Sequence, residues 1–216
     1  SEGIRIDYTK IYERGERQPV YDFILNNVRW PDVVSMDNMT MMGATKRAEE
    51  ELIRLCEKMG KETIHACQEV LLDSSEQAMR SEISNMPDGT YYGESGCDWD
   101  GTTDKPVYVR VHVTIKGDEL TVDWTGSDPL ADFVNMPLAV NHACTYIPIL
   151  MTVDPNITFN EGSCRPIEII APENTCVHAK YPATVGGCNC HLGDELIEAI
   201  QILHTPQCSI NSRGWS

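Results

Sequence analysis

Positively charged side chains are scarce in this sequence. Its 216 residues include 17 lysines and arginines against 33 aspartates and glutamates, a formal net charge of −16 at pH 7. A chain with this balance repels phosphate backbones and anionic lipid headgroups. Nucleic acid and membrane surfaces are therefore poor candidates as partners, and such an acidic balance more often serves solubility than binding.

Membrane-spanning and secretory segments are missing as well. No run approaches 18 apolar residues, and the first residues form neither a basic nor an apolar signal region. The nine cysteines are an odd number without the spacing of a disulfide framework, which suits reduced thiols. We therefore expect a cytoplasmic location. Both ends of the chain interrupt a pattern, so we also expect an excerpt of a larger subunit.

Helical periodicity dominates residues 1–86. Apolar residues recur at spacings of three and four over residues 18–30, 35–59 and 61–85. Gly60 separates the last two segments, in the position of a helix C-cap. Two long helices joined at a single glycine predict an antiparallel helical hairpin.

Strand periodicity takes over at residues 87–90, where the sequence Pro-Asp-Gly-Thr is typical of a turn. In residues 107–115 every odd position is aliphatic, and the Lys-Gly-Asp turn at 116–118 leads into a second strand at 119–124. This antiparallel hairpin is the clearest element that the sequence predicts. A further, buried strand is expected at residues 167–170.

Two more helices are expected beside the strands. An apolar, helix-like run covers residues 138–153, where Pro148 should kink or interrupt it, and an amphipathic helix covers about residues 194–203. The sequence as a whole predicts an α+β fold. A helical region at residues 1–86 is followed by a mainly antiparallel sheet with packed helices at residues 87–216.

The first candidate site is the loop at residues 160–166, Asn-Glu-Gly-Ser-Cys-Arg-Pro. It brings the amide of Asn160, the carboxylate of Glu161 and the guanidinium of Arg165 close together, just before a buried strand. Such a loop can clamp an anionic or amide group, which makes these three residues the candidate catalytic set. The alternative is that Arg165 and Glu161 pair with one another or with neighbouring elements.

The second candidate is the pair of consecutive glycines before the last helix. Gly186 and Gly187 free the backbone there, so that amide N–H groups, with Asn189 beside them, can face a bound group. The stretch matches neither the phosphate-binding loop with its Gly-Lys-Ser/Thr nor the dinucleotide fingerprint. ATP binding by this chain is therefore not indicated.

Thiols and an imidazole follow these glycines directly. Cys188, Cys190 and His191 are ligand types that zinc accepts in tetrahedral sites, so they form a candidate metal site. The Cys-x-Cys-His spacing differs from the usual pairs of zinc knuckles. Free thiols are the alternative. From this chemistry alone, the sequence predicts an acidic α+β domain and no specific activity.

A family resemblance rests on several motifs. Residues 160–173 are very similar to the hydantoinase B stretch that reads Asn, any residue, Gly, two residues, then Arg-Pro-Ile-Glu-Val-Ile-Ala-Pro-Glu-Gly. Other stretches resemble the family in the same order along the chain, so that the resemblance covers nearly all of it. They are residues 23–29, 86–91, 120–127, 135–140 and 181–187.

The resemblance implies that this chain is an internal segment of a hydantoinase B-type subunit. Such subunits work with a hydantoinase A-type partner that binds ATP with Mg and phosphorylates the enol form of an unreactive amide or ketone. The pair opens hydantoins, 5-oxoproline or related lactams, or carboxylates acetone and acetophenone. It also implies a substrate-binding role for Asn135 beside the two glycines and Asn189.

Two departures from the family pattern are visible. The motifs that supply the family's divalent metal ligands, for Mn or Zn, do not occur here and are expected upstream of Ser1, in the remainder of the same subunit. After Gly187 the usual Gly-Asn-Val-Glu-Thr-Ser becomes Cys-Asn-Cys-His-Leu-Gly, which predicts an unusual choice of substrate.

The sequence is therefore compatible with three functions. The first hypothesis is part of an ATP-dependent amidohydrolase that opens a cyclic amide, and the chain alone is expected to be inactive. The alternative within the family is part of an ATP-dependent ketone carboxylase. An alternative of another class is a structural assembly module without catalytic residues. For the first two, the expected partners are a hydantoinase A-type chain and the rest of the subunit, which we expect to meet the helices at residues 35–85 or the loop at residues 127–137.

Overall fold

The chain forms two compact units. A computed structural model describes residues 4–186, 188 and 191–204. The units are Ser1–Gln68 and Glu69–Ser216, so the division falls at residue 68, whereas the change from helices to strands comes after residue 84. No helix in the described part of the chain has both the length and the apolar character that a membrane crossing requires.

The first unit starts with a small hairpin and a short helix. Strands β1 (Tyr12–Glu13) and β2 (Glu16–Arg17) pair in antiparallel fashion, and helix α1 (Pro19–Asn26) follows at once. Tyr21 of α1 is fully buried and lies edge-on to the ring of Tyr12, with ring centroids 5.4 Å apart. The phenol oxygen of Tyr21 donates to the carbonyl oxygen of Ser35 at 3.2 Å, which ties α1 to the next helix.

The two long helices that the sequence predicts are both present. Helices α2 (Pro31–Met59) and α3 (Lys61–Ser84) meet at Gly60, whose φ of 84° ends α2 as expected. Helix α2, which is described throughout, has no buried residue. The antiparallel packing of the two helices stays a prediction, since periodicity shows that a helix has an apolar face and does not show what covers it.

The second unit is built on one four-stranded sheet. Strands β3 (Gly89–Cys97), β4 (Val107–Lys116) and β5 (Glu119–Asp123) form an antiparallel meander, and β6 (Ile167–Ile170) pairs in parallel with β5. All five odd-numbered residues of β4 are buried, as the alternating pattern predicts. The mainly antiparallel sheet and the α+β fold are thus confirmed.

Helices cover the apolar face of this sheet. Helix α4 (Leu138–Thr152) packs against α6 (Leu192–Ile200), and α6 packs against β3 and β4. A 3₁₀ turn, Gln201–His204, continues α6, and helix α5 (Glu161–Cys164) is a single turn before β6. The end of α3 contributes Met79 and Ile83 to the same core.

Helix α4 continues through Pro148 without a break. An interior proline removes one helical hydrogen bond and disfavours the helix by about 3 kcal/mol. The expected interruption is absent because Pro148 and its neighbour Ile149 are buried and belong to the packed face of the helix. A further buried contact in this helix joins the indole nitrogen of Trp124 to the hydroxyl of Thr145 at 3.2 Å.

A glycine controls how closely α6 approaches the sheet. A Cβ atom added to Gly93 of β3 would lie 1.9 Å from the carbonyl oxygen of Ala199 in α6. No side chain fits in that space, and the atom that it would meet is backbone, which cannot rotate away. Only glycine at this position allows α6 to lie directly on β3.

Replacing Gly93 with alanine should therefore separate α6 from the sheet. We expect Gly93→Ala to lower the free energy of unfolding by about 3 kcal/mol or more, the upper end of overpacking costs. Gly43→Ala is the matched control, because Gly43 lies inside α2 with no atom within 4 Å of an added Cβ, and alanine there should stabilise the helix by about 0.5–1 kcal/mol. Urea denaturation measures both, and equal effects would contradict this account.

Candidate functional site

The loop that contains the most recognisable motif is held tightly by its own residues. Asn160 caps α5, because its side-chain oxygen accepts from the backbone N–H groups of Gly162 at 2.9 Å and Ser163 at 3.3 Å. The hydroxyl of Ser163 in turn accepts from the backbone N–H of Asn160 at 3.2 Å, which completes a capping box. The side-chain nitrogen of Asn160 donates to the hydroxyl of Ser75 in α3 at 2.8 Å.

The same loop lies directly against helix α3. A Cβ atom added to Gly162 would come within 2.0 Å of the carbonyl oxygen of Leu72, so the backbones touch at this point. Arg165 donates from one guanidinium nitrogen to Asp73 and to Glu76, both at 2.9 Å. Glu76 also accepts from Arg80 at 2.9 Å. Hydrogen bonds from the two arginines hold the pKa of the Glu76 carboxyl below its usual range.

These contacts distinguish Glu161 from the other two members of the predicted catalytic set. Asn160 and Arg165 both form hydrogen bonds to α3. For Arg165 this is the alternative that the sequence left open, in which its guanidinium pairs with a neighbouring element. Glu161 is exposed and has no hydrogen bond or ion pair within the described part of the chain. Its carboxylate is the one group of this set that is available to another molecule.

Asn135, the predicted substrate-binding residue, is completely buried. Its side-chain oxygen accepts from the backbone N–H of Ala131 at 2.7 Å, and its side-chain nitrogen donates to the carbonyl oxygens of Ala131 at 2.7 Å and Thr184 at 2.9 Å. The hydroxyl of Thr184 donates to the carbonyl oxygen of Asp132 at 2.6 Å. Asn135 thus fastens residues 131–135 to the segment that leads to Gly186.

Phe133 completes this fastening. An added Cβ on Gly186 would lie 2.2 Å from the Phe133 ring, and an added Cβ on Gly101 would lie 2.5 Å from it on another side. Gly101 has a φ of 97°, a conformation that side chains other than glycine rarely adopt. The ring is therefore enclosed by two glycine backbones, and it fixes Gly186 beside the loop that follows β3.

A cleft of about 320 Å³ opens at this point. Its walls are the end of β3, the loop after β3, the ring of Phe133 and the first turn of α6. Its described lining contains no lysine or arginine. Three carboxylates line it, those of Asp98, Asp194 and Glu195.

One of the three carboxylates is already bonded. Glu195 accepts from the hydroxyl of Ser95 at 2.5 Å. Asp98 and Asp194 are exposed and make no hydrogen bond or ion pair with any described residue. The cleft can therefore receive hydrogen-bond donors or positive charge at two free carboxylates.

A half-buried thiol lies in the same cleft. Burial, followed by the nearby carboxylates of Glu195, Asp98 and Asp194, raises the pKa of Cys97 to about 11. The thiol is consequently protonated at neutral pH and is a poor nucleophile and metal ligand there.

The predicted metal site is only partly described. Gly187, Asn189 and Cys190 lie outside the described residues. Of the other two predicted ligands, Cys188 is half-buried, and His191 is exposed at the rim of the cleft, just before α6. Within the described residues, no group of three or more His, Cys, Asp or Glu side chains is arranged to hold a metal ion.

Sequence reasoning missed the cleft walls at Asp98, Trp99 and Phe133 and the two acids of α6. The Asp-Gly pair at residues 100–101 predicts a turn and gives no indication that a cleft forms beside it. Nothing local indicates that residue 133 packs against glycines some 30 residues before it and 50 after it. That contact depends on the completed fold.

Sequence comparison connects the chain to known proteins. The profile of the family described as Hydantoinase B/oxoprolinase matches residues 1–209. A putative D-/L-hydantoinase B-type subunit of Pseudomonas sp. (strain NS671) is 34% identical over 196 residues, which cover 85% of this chain and 33% of that protein. The beta chain of the caprolactamase of Pseudomonas jessenii is 26% identical over 204 residues, which cover 94% of this chain and 35% of that protein.

Solved structures show the same fold. The crystal structure of the ATP-dependent caprolactamase from Pseudomonas jessenii matches 93% of this chain and 35% of that chain, with a TM-score of 0.85 and 27% identity. A nucleotide-free acetone carboxylase matches 86% of this chain and 26% of that chain, with a TM-score of 0.75 and 14% identity, which shows the fold alone. The chain spans about a third of the length of the curated relatives named above.

Asn160 provides a test of the contact between the loop and helix α3. We expect Asn160→Ala to lower the free energy of unfolding by about 2–3 kcal/mol, because it removes both the cap and the bond to Ser75. Asn160→Asp keeps the capping oxygen and should cost less. Glu161→Gln, at an exposed position without a partner, should change stability by less than about 0.5 kcal/mol. Urea denaturation of the three variants checks this order, and a neutral Asn160→Ala would refute the capping role.

The thiol of Cys97 provides a test of the electrostatics of the cleft. Its alkylation by iodoacetamide should be slow near neutral pH and should rise with pH towards the pKa of about 11. Because a nearby negative charge disfavours the thiolate, Glu195→Gln should lower this pKa and speed alkylation several-fold at fixed pH. Glu198→Gln makes the same change on an exposed turn of the same helix and should have little effect. Mass spectrometry of the Cys97 peptide measures the rates, and equal rates in both variants would contradict the assignment.

Proposed function

Because the chain belongs to the hydantoinase B/oxoprolinase family, we propose that it is a segment of the hydantoinase B-type subunit of an ATP-dependent amidohydrolase that opens cyclic amides. The observation that carries this proposal is the match of 93% of the chain, at a TM-score of 0.85 and 27% identity, to an ATP-dependent caprolactamase. The 34% identity to a putative hydantoinase B-type subunit supports the same class of substrate. Hydantoins, 5-oxoproline and lactams are the proposed ring substrates.

A ketone carboxylase is the second candidate within the family. The similarity to acetone carboxylase, at 14% identity, supports a shared fold and carries no reaction with it. The match to the caprolactamase, at 27% identity over 93% of this chain, favours the hydrolase.

We assign activation by ATP to the partner subunit. A cyclic amide is a poor electrophile, and phosphorylation of its enol form there makes ring opening possible. We propose that the family's divalent metal is held by the remainder of the subunit. What this chain supplies is a shaped surface on which an activated ring can be held.

The residues proposed for that surface differ in whether they are free to contact a substrate. Glu161 is the exposed carboxylate proposed to act on the substrate; it lies before β6, at the end of the sheet where β3 begins. Gly186, beside the loop after the opposite end of β3, is proposed to line a separate binding surface. Asn160, Arg165 and Asn135 are bonded within the fold, so their contribution is proposed to be indirect, through the positions of Glu161 and Gly186. The roles of Gly187, Asn189, Cys190 and the other proposed metal ligands remain predictions.

A structural assembly module is the candidate of another class. It is favoured by the internal bonding of Asn135, Asn160 and Arg165, which are all used to hold the fold together. Glu161→Gln in the assembled enzyme separates the two functions, because this exposed side chain has no structural contact to lose. Loss of turnover with intact assembly supports a catalytic surface, and unchanged turnover supports the assembly module.

The partners are proposed from the relatives. The two curated relatives are, by name, single components of multi-subunit enzymes, so we propose that this chain has partner subunits too. We propose a hydantoinase A-type ATP-binding chain and the remainder of the same subunit as those partners. A cytoplasmic location is proposed as well, since a reducing compartment would preserve the seven described cysteines as the free thiols seen here.

The assembled enzyme decides between hydrolase and carboxylase. The subunit that contains this chain is purified with its hydantoinase A-type partner and given ATP, labelled bicarbonate and either a cyclic amide or a ketone. We expect ring opening coupled to ATP hydrolysis and no label in the product. Label incorporated into a stable carboxylate would refute the hydrolase, and failure of the two subunits to purify together would refute the proposed partner.

A further inference from the structure

An exposed apolar stripe runs along helix α2 to its C-terminal end. It contains six residues, all exposed, which are Met41, Thr45, Ala48, Leu52, Leu55 and Met59. Successive members are four, three, four, three and four residues apart. This alternation is the heptad spacing at which two helices pack side by side as a coiled coil. We call these six residues the α2 stripe.

The α2 stripe is uncovered in the part of the chain that the structure describes. Leu52 is 52% exposed and Met41 is 60% exposed, and none of the 29 residues of α2 is buried. Most helical stability in proteins comes from packing an apolar face. A regularly spaced stripe of this length therefore predicts that a further helix packs against it.

The side chains of the α2 stripe differ in size. Thr45 and Ala48 are small, whereas the other members are large. Packed helices fill the space between them when large residues lie opposite small ones, and an unfilled space costs stability. The helix that packs here therefore needs large apolar side chains opposite Thr45 and Ala48.

Two glutamates flank the α2 stripe near its centre. Glu49 and Glu51 occupy the e and g positions of the heptad, one on each side of the stripe. Glu51 pairs with Arg47 at 2.6 Å and with Arg54 at 2.9 Å, whereas Glu49 has no hydrogen bond or ion pair with any described residue. Lys58 is the one cation at a flanking position, near the end of the stripe. Because flanking charges set partner choice, a lysine or arginine beside Glu49 is favoured.

A second copy of this chain does not satisfy both requirements. An antiparallel pair that sets Ala48 opposite Leu52 of the copy matches the sizes. It also brings Glu49 and Glu51 of one copy next to the same residues of the other, and like charges oppose this pairing. A parallel pair in register sets Thr45 and Ala48 opposite themselves, which leaves the space between the helices unfilled. A helix of different sequence is therefore the better occupant.

We infer that the α2 stripe is the docking site of an amphipathic helix of different sequence. This helix carries large apolar side chains opposite Thr45 and Ala48 and a lysine or arginine beside Glu49. The inference rests on the proposed function for one point, the source of the helix, which is the remainder of the same subunit. The chain spans about a third of its curated relatives, so about two-thirds of their length lies outside it.

A synthetic helix tests the α2 stripe on the 216-residue chain. The probe is a fluorescein-labelled peptide of three heptads with leucine at the seam positions and lysine at the flanking positions. Its control is the same peptide with glutamate at the flanking positions. We expect the lysine peptide to bind at least tenfold more tightly, as measured by fluorescence anisotropy. Equal affinities of the two peptides, or no binding of the lysine peptide, overturn the inference.

Two neighbouring residues separate the stripe from the rest of the helix surface. Leu52 and Ile53 are both 52% exposed, but only Leu52 belongs to the α2 stripe. Leu52→Lys should weaken binding of the lysine peptide at least tenfold, because it places a charge in the packed seam. Ile53→Lys adds the same charge outside the seam and should change binding less than about twofold. Circular dichroism checks that both variants keep the fold. Equal weakening would mean that net charge alone acts, which also overturns the inference.

Charge reversal at one flank tests the chemistry of the occupant. Glu49→Lys should reduce the preference for the lysine peptide several-fold, because it replaces an attraction beside the seam with a repulsion. Glu57→Lys makes the same change at an exposed position on the opposite face of α2 and should keep the preference. A preference that Glu49→Lys leaves unchanged contradicts the inferred charge of the occupant.

Light scattering tests the second copy as the occupant. We expect Leu52→Lys to leave the molar mass of the 216-residue chain unchanged. A dimer that this substitution converts to a monomer would show that the α2 stripe pairs with itself, and would overturn the choice of a helix of different sequence.

The whole subunit, purified without its hydantoinase A-type partner, tests where the helix comes from. In it, Leu52→Lys should lower the midpoint of thermal unfolding by about 2 °C or more, and Ile53→Lys should not. Equal midpoints, or an effect that requires the A-type partner, would overturn the assignment to the remainder of the subunit.

Ring opening separates this inference from the proposed function. Ring opening by the assembled wild-type enzyme, together with equal midpoints of the two variants, refutes the inference and leaves the proposed function standing. A midpoint lowered by Leu52→Lys alone, without ring opening by the assembled wild-type enzyme, supports the α2 stripe as a docking site and refutes the proposed function.

Discussion

Helix α6 lies on strand β3 with no side chain between them, because position 93 is a glycine and the carbonyl oxygen of Ala199 occupies the space that a Cβ would take. Much of the second unit depends on this approach. Helix α4 packs on α6, and the first turn of α6 carries Asp194 and Glu195 to the end of β3. The hydrogen bond from Ser95 to Glu195 spans the same contact. The cleft exists because α6 is this close to the sheet.

The local elements were predictable because their causes are local. The alternation in residues 107–115, the turn at 116–118 and the cap at Asn160 are all visible in a few consecutive residues. The cleft is different, since Phe133 meets Gly101 and Gly186 only after three separate segments have come together. Pro148 is a local signal that misleads. It predicts an interruption of α4, but burial of the helix around it outweighs the local preference of proline.

The most recognisable motif of the chain serves mainly to attach a loop to a helix. In residues 160–165 the asparagine caps, the glycine allows backbone contact with Leu72, and the arginine bonds to Asp73 and Glu76. Sequence similarity therefore marks a position that the fold needs, and the chemistry of the motif does not by itself identify a reacting group. The exposed Glu161 and the acidic cleft are where this chain can meet another molecule, and only Glu161 is a candidate from the sequence alone.

Helix α2 has an exposed apolar stripe on the surface of the first unit. Met41, Leu52, Leu55 and Met59 lie along one stripe of the helix, at spacings built from three and four, and all are exposed. Surface ion pairs such as Arg47 with Glu51 contribute only about 0.2–0.5 kcal/mol each to a helix, whereas most helical stability in proteins comes from packing an apolar face. A helix of 29 residues without a buried side chain is therefore incomplete as a packed element. Since the chain spans about a third of its curated relatives, the apolar stripe of α2 is the surface on which we expect the remainder of the subunit to pack, and the acidic cleft lies on the other unit, where substrate chemistry is proposed.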